Sequence, residues 1–357
     1  RREELARILK IARQPAVAQY IAVLGSQYSG KTTLLLQVQN ALQAEQACAY
    51  CDLAPLAQAD LTQCLRAIAK CVGSQLAAVL ATRRGTLVRR NGGTALYQAT
   101  PISEVLATHP LKHISTAADL ILFLERLAAA YPGPRITVLL DQLDRLSDQV
   151  SDSLWATLRS ILVQARRSAE PLSKYLFILA GSLDLQAALG QRQSPWNVVE
   201  RIYLGDLDTL QIASILAQFT RQGVTVSEDA PRLVREATGG HPYLTMRLCS
   251  WLQRLQVRVV DAPAIQAGVA NMLVADEHLR ETVRRVAANP AADATLRRIL
   301  AGEQLRFTRS DPAMAALELL GVIAPSTPVR LRSALYERVL RAYALEHPAP
   351  PITARAR

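Results

Sequence analysis

Residues 20–33 read YIAVLGSQYSGKTT: an apolar run that breaks into Gly25, four spacers (Ser26, Gln27, Tyr28 and Ser29) and then Gly30, Lys31 and Thr32. This is the GxxxxGKT spacing of a phosphate-binding loop. Its surroundings agree with that reading. Ile21, Val23 and Leu24 predict a buried strand, and Thr32 and Thr33 open a stretch with no helix breaker before about Ala47. The chemistry explains the residue types. Glycine at positions 25 and 30 permits backbone angles and close approach that a Cβ would obstruct, so the amides of the loop can converge on phosphate oxygens. Lys31 supplies a cation for the β- and γ-phosphates and Thr32 a hydroxyl for Mg²⁺, at a helix N-terminus that adds its own positive field. The bland alternative is a glycine-rich turn that holds no ligand. The strand and helix flanking the loop favour a nucleoside triphosphate.

Outward from this loop the chain alternates apolar strands with helices. Leu5, Ile8, Leu9 and Ala12 fall at helical spacing ahead of Pro15. Strands are predicted at 47–53, 136–141, 175–180 and 198–204. Helices are predicted from about Asp60, at 116–130 and at 154–168, with a Gly- and Arg-rich loop at 83–94. The pattern predicts an α/β fold with a parallel sheet and helices on both faces. Strand signals stop near Asp206, and helical stretches follow at 210–222, 230–238 and 243–255. A last unit from about Asp276 has two or three helices and a hairpin-like segment at 322–331, resembling a winged helix. The expected domains are a nucleotide-binding core at 1–207, a helical lid at 208–275, a winged-helix domain at 276–347 and a disordered tail at 348–357.

A phosphate loop needs a carboxylate to hold magnesium, and Asp141, closing the run ITVLLD, suits that Walker B role. A strand simply ending in a polar turn is the plainer explanation. The next residue is Gln142, whose amide hydrogen-bonds water but cannot act as a general base, so slow hydrolysis with intact binding is expected. Asp144, two residues on, is a partial substitute. Ser182, after the run FILAG, stands where a side chain would sense the γ-phosphate, unless it merely caps the strand. Arg192 lies in the loop before the strand at 198–204, placed for an arginine finger or for plain solvation.

The chain has 357 residues, 50% hydrophobic, with 41 basic and 30 acidic side chains and a net charge of +11. That length implies two or three domains, and the charge is compatible with nucleic-acid or acidic-protein partners. Aromatics at 5% leave little material for a base-stacking platform. No uninterrupted apolar run reaches the 18 residues of a membrane span and no signal segment opens the chain, so a cytoplasmic protein with no membrane partner is expected. Starting at Arg1 rather than Met, the chain reads as processed or as a piece of a longer polypeptide. Five cysteines suggest reduced thiols. Cys48 and Cys51 match CxxC, but three apart on a strand they point to opposite faces, a poor geometry for chelation. Cys64 and Cys71, seven apart on a predicted helix, share one face.

Taken together, GSQYSGKTT, ITVLLDQLDRL at 136–146, FILAGS at 177–182, SPWNV at 194–198, GGHPYL at 239–244 and LYERVL at 335–340 resemble the AAA-like ATPase domains of bacterial STAND-type signalling proteins. Archaeal and origin-recognition ATPases are more distant relatives. The resemblance spans nearly the whole chain, and the order of SPWNV and GGHPYL is its most specific part. It implies a five-stranded parallel sheet of the additional-strand class, ATP or ADP with Mg²⁺ as cofactors, and a lid motif in which Gly240, His241 and Pro242 sense the nucleotide. Without the family, Gly239 and Gly240 read as a helix cap and Pro242 as a first-turn proline. The family has Asp-Glu where this chain has Asp141-Gln142. Its members are switches with a fused or associated effector or sensor domain, they form homo-oligomers, and many are proposed to act in bacterial defence. The alternative is a DNA-engaged AAA+ ATPase of origin-recognition or transposition-regulator type, for which Arg297, Arg298, Arg306, Arg309, Arg330 and Arg332 would face phosphates. An ordinary hydrolytic motor is a third reading, against which Gln142 speaks.

Overall fold

A computed structural model describes residues 1–14, 19–91, 101–167, 171–181 and 199–348. The chain forms two compact units, one of Arg1–Gly25 with Lys31–Leu204 and one of Ser26–Gly30 with Gly205–Arg357.

The first unit is built on five parallel strands in the order β2-β3-β4-β1-β5: β1 (Gln19–Leu24), β2 (Ala47–Asp52), β3 (Ile136–Asp141), β4 (Tyr175–Gly181) and β5 (Glu200–Tyr203). The expected parallel sheet is present, and β4 lies between the strand that leads into the phosphate loop and the strand that ends in Asp141. Strand alternation sorts the side chains into two cores. Tyr20, Ala22, Ala49, Val138, Leu140, Phe177 and Leu179 face one core, and Ile21, Val23, Cys48, Leu139, Ile178 and Ala180 face the other. Helices α1 (Arg2–Ala12) and α2 (Lys31–Leu42) cover the second face through Ile8, Leu34, Leu35 and Val38. Both faces of β3 and β4 are covered, so they read as continuous apolar runs. Each fully buried Leu or Ile here contributes roughly 1.5–3 kcal/mol. Three buried phenols are anchored by their hydroxyls: Tyr20 to Leu158 O at 2.6 Å, Tyr175 to Leu124 O at 2.8 Å, and Tyr131 accepting from Ala47 N at 3.0 Å.

The opposite face is covered by α3 (Leu61–Asn91), α4 (Pro101–Thr108), α5 (Ala117–Ala130) and α6 (Asp148–Arg167). The start of α5 is fixed by a capping box in which Thr116 Oγ1 accepts from Asp119 N and the Asp119 carboxylate accepts from Thr116 N. One expectation is corrected here. The Gly- and Arg-rich stretch expected to be a loop from 83 is helical through Asn91, because Ala, Leu and Arg are strong helix formers and a single Gly85 costs only about 1 kcal/mol against Ala. The residues Leu61–Ala81 of that helix also make a window long and apolar enough on average to cross a membrane, which the reading by uninterrupted runs overlooked. Cys64, Leu65, Ile68, Val72 and Leu76 of that window are buried in the sheet's core.

The second unit is mostly helical: α7 (Thr209–Arg221), α8 (Ala230–Thr238), α9 (Pro242–Arg254), α10 (Ala262–Ala275), α11 (Glu277–Ala287), α12 (Pro290–Leu300), α13 (Pro312–Leu319) and α14 (Ala334–Glu346). Helix starts are marked by side-chain caps from Asp208, Asp261, Asp276, Asn289, Asp311 and Ser333. An antiparallel pair, β8 (Ile323–Ala324) and β9 (Arg330–Leu331), forms where the hairpin-like segment was expected. A two-residue parallel pair, β6 (Thr225–Val226) with β7 (Val259–Val260), breaks the expectation that strands end near Asp206; so short a segment carries no periodicity to read. The tail from 349 onwards lies outside the described residues.

Candidate functional site

The C-terminal ends of β1, β3 and β4 align at one edge of the sheet, since Leu24 pairs with Gly181 and Leu140 with Leu179. In open parallel sheets this is the edge at which ligands bind. Lys31 and Thr32 open α2 directly after the phosphate loop, with Thr32 and Thr33 exposed. Lys31 Nζ donates to Gly25 O at 3.0 Å. Asp141 is 1% exposed. Strand parity sets it on the same face as Leu139, the face that α2 covers.

Asp141 is held by two donors, one per oxygen. Tyr50 Oη donates to Oδ2 at 2.9 Å and the Gln142 backbone N–H to Oδ1 at 2.8 Å. Burial, and then the bond to Asp141, push the Tyr50 phenol upward, so it remains a donor. Gln142 has left-handed backbone, φ 60° and ψ 39°, and its side-chain Nε2 donates to Asp52 Oδ1 at 3.0 Å. Asp52 is the register partner of Asp141 across β2 and β3. Tyr50 and Asp52 are therefore site neighbours that sequence reading missed. The available signal was the run CAYCD, a predicted strand closing on a carboxylate just as ITVLLD does. Cys48 and Cys51 do face opposite cores. Burial pushes the Cys48 thiol up to about 12. Asp144 sits exposed on the 3-10 turn Leu143–Arg145. Ser182, Arg192 and the SPWNV stretch fall outside the described residues.

The spacers Ser26–Gly30 belong to the second unit. Gly30 has φ +91°, and a Cβ built there would meet nothing within 4 Å, so this glycine is needed for its backbone angle rather than for crowding. Tyr28 is also left-handed, at φ 58°. Within this unit Ser26 Oγ accepts from Arg332 Nη1 at 2.5 Å, Gln27 Oε1 accepts from Arg285 Nη1 at 3.0 Å, and Gln27 N donates to Leu319 O at 3.1 Å. The Tyr28 ring lies 4.6 Å from His278 and 5.3 Å from Tyr243, and Ser29 is fully buried. Arg332 is bound in turn by both oxygens of Asp206, at 2.8 and 3.0 Å from Nε. Tyr243 lies in the GGHPYL run and Arg332 was expected to face phosphates, but their ties to the loop were not legible, because these partners lie far downstream of it in sequence.

His241 is fully buried, 6.2 Å ring to ring from His278, and Pro242 starts α9. Gly239 and Gly240 both have positive φ and no room for a side chain: a Cβ would lie 1.8 Å from Arg332 O and 2.2 Å from Leu207 O respectively. Their glycine character is a packing requirement as well as a helix cap. Burial pushes His278 down to about 4, and its Nε2 shares a 2.8 Å hydrogen bond with Tyr336 Oη. Of the six arginines singled out for phosphate contact, Arg297, Arg298, Arg309 and Arg332 are ion-paired to Asp293, Glu303, Glu318 and Asp206.

A family model described as an AAA-like domain matches residues 112–342, downstream of the phosphate loop. Among solved structures the fold is similar to the Aeropyrum pernix Orc1 protein in complex with DNA, at 14% identity and TM-score 0.45 over 96% of this chain and 92% of that one. It is similar to the Thermotoga maritima RuvB Holliday junction branch migration motor, at 13% and 0.44 over 98% and 95%. It is also similar to Cdc6p from Pyrobaculum aerophilum, at 14% and 0.45 over 97% and 94%. No curated protein matches the chain. The chain belongs to the AAA-like domain family.

Proposed function

We propose that this chain is the ATP-binding switch module of a STAND-type signalling ATPase, holding nucleotide and hydrolysing it slowly. One observation carries the reading. The residue after the buried Asp141 is an amide whose nitrogen donates to Asp52, so the position next to the expected magnesium ligand cannot accept a proton. The donor set suits the cofactor. Thr32 and Asp141 offer hard oxygens of the kind Mg²⁺ takes, Lys31 offers the phosphate cation, and Gly30 supplies the left-handed turn just before it. Bound Mg²⁺ would neutralise phosphate charge. Lys31, the amides of Ser26, Gln27, Tyr28, Ser29 and Gly30, and the α2 N-terminus would hold and orient the phosphates, and Thr33 would extend that set.

In this reading residues 1–207 form the core, 208–275 a lid in which His241 and Pro242 respond to nucleotide, and 276–347 a winged helix around the β8–β9 hairpin. An effector or sensor domain and further copies of the chain are the expected partners. A DNA-engaged role is the second choice, since four of the six arginines it needs already have carboxylate partners. The test is thermal unfolding with and without Mg·ATP. The wild type is expected to gain several degrees and Lys31→Ala nothing. No shift in the wild type would end this reading, and duplex binding that falls steeply with salt would replace it with the DNA-engaged one.

A further inference from the structure

Gln142 stands where the resembled family has a glutamate, and its side chain ends 3.0 Å from a carboxylate oxygen, Oδ1 of Asp52. Asp52 closes β2, pairs in register with Asp141, and shares the face of Tyr50, whose hydroxyl holds Asp141. Its Oδ1 also accepts from Ala54 N at 3.0 Å. Two donors thus fix one oxygen, and the residue is exposed, so Oδ2 is presented on a carboxylate that cannot swing away. Asp144, the nearer acid in sequence, lies on an exposed turn with no tie to Asp141 or Gln142 among the described contacts.

We infer that Asp52 takes the proton of the attacking water in the slow hydrolysis, with Gln142 as the residue that positions it. This rests on the ATP binding proposed above. The water oxygen bonds to the γ-phosphorus, the bond from that phosphorus to the β–γ bridging oxygen breaks with its electron pair leaving on ADP, and the water proton passes to Asp52 Oδ2 and then to solvent.

The experiment is single-turnover hydrolysis of Mg·ATP by the full chain, with affinity measured separately using a fluorescent ATP analogue. Asp52→Asn is expected to lose about 100-fold in rate while its affinity stays within about twofold of wild type. Asp52→Glu, which keeps the carboxylate, is expected to recover at least a tenth of the wild-type rate, and it serves as the probe should the Asn variant not fold. Asp144→Asn should lose at least tenfold less than Asp52→Asn. The inference is overturned if Asp52→Asn keeps the wild-type rate, if Asp144→Asn is the more damaged, or if Asp52→Asn loses affinity in step with rate. A wild type that binds ATP without any hydrolysis sinks this inference and leaves the switch standing. One that binds no ATP sinks both.

Discussion

The carboxylate edge at the ends of β2 and β3 and the spacers of the phosphate loop are held in opposite ways. At the edge, every tie runs between neighbouring strands or neighbouring residues: Asp52 to Asp141 by register, Tyr50 to Asp141, Gln142 to both. In the loop, Ser26, Gln27 and Tyr28 are tied to Arg332, Arg285, Leu319, Tyr243 and His278, all beyond residue 240. A motif can therefore be fully readable in sequence while the groups that hold its spacers are not. The strand end, with less of a motif, has its surroundings set by a period of two.

That contrast is best broken where the remote ties are tightest. Gly239→Ala would force a Cβ into the carbonyl of Arg332 at a left-handed position, and is expected to destabilise the second unit by about 3 kcal/mol or more, measured by urea unfolding. A cost under about 1 kcal/mol would mean that the seat of Arg332 is soft and the loop less dependent on remote residues. The middle-sized effect is pH. His278 is held neutral, with its value pushed from 6.5 to about 4, mainly by burial. The unfolded chain binds a proton below about pH 6.5 that the folded one refuses until about 4, so stability is full above that window and falls as pH drops through it. The loss is on the order of 2 kcal/mol by pH 4, and His278→Gln should remove that part of the slope. The smallest effect sharpens the local side: Tyr50→Phe strips one donor from the buried Asp141 carboxylate and is expected to cost about 1.5 kcal/mol, with no change in the pH slope carried by His278.

How much was legible follows the same division. The sheet, its strand limits and Asp141 could be read because apolar runs ending in a carboxylate have few other uses in a parallel sheet. The extension of α3 through Asn91 could not, because Gly85 and the paired arginines look like a loop, and only a helix already running from Leu61 carries the chain through them. Asp52 was in plain view at the end of its strand, and only the pairing of β2 with β3, a non-local fact, gives it a neighbour. His278 had no local signature, and Arg332 read only as a positive charge near the hairpin, with nothing to show its partners Asp206 and Ser26.

The left-handed backbone at Gln142 has an evolutionary consequence. Val, Ile and Thr are disfavoured at φ 60°, so drift at this position runs mainly among Gly, Asn, Asp and unbranched side chains. Glutamate is among those the backbone admits, yet it would set a second carboxylate where an amide nitrogen now donates to Asp52, and like charges at that separation oppose each other's ionisation. A glutamate at this position would therefore be coupled to residue 52, and Asp52→Asn is the change that would relieve it.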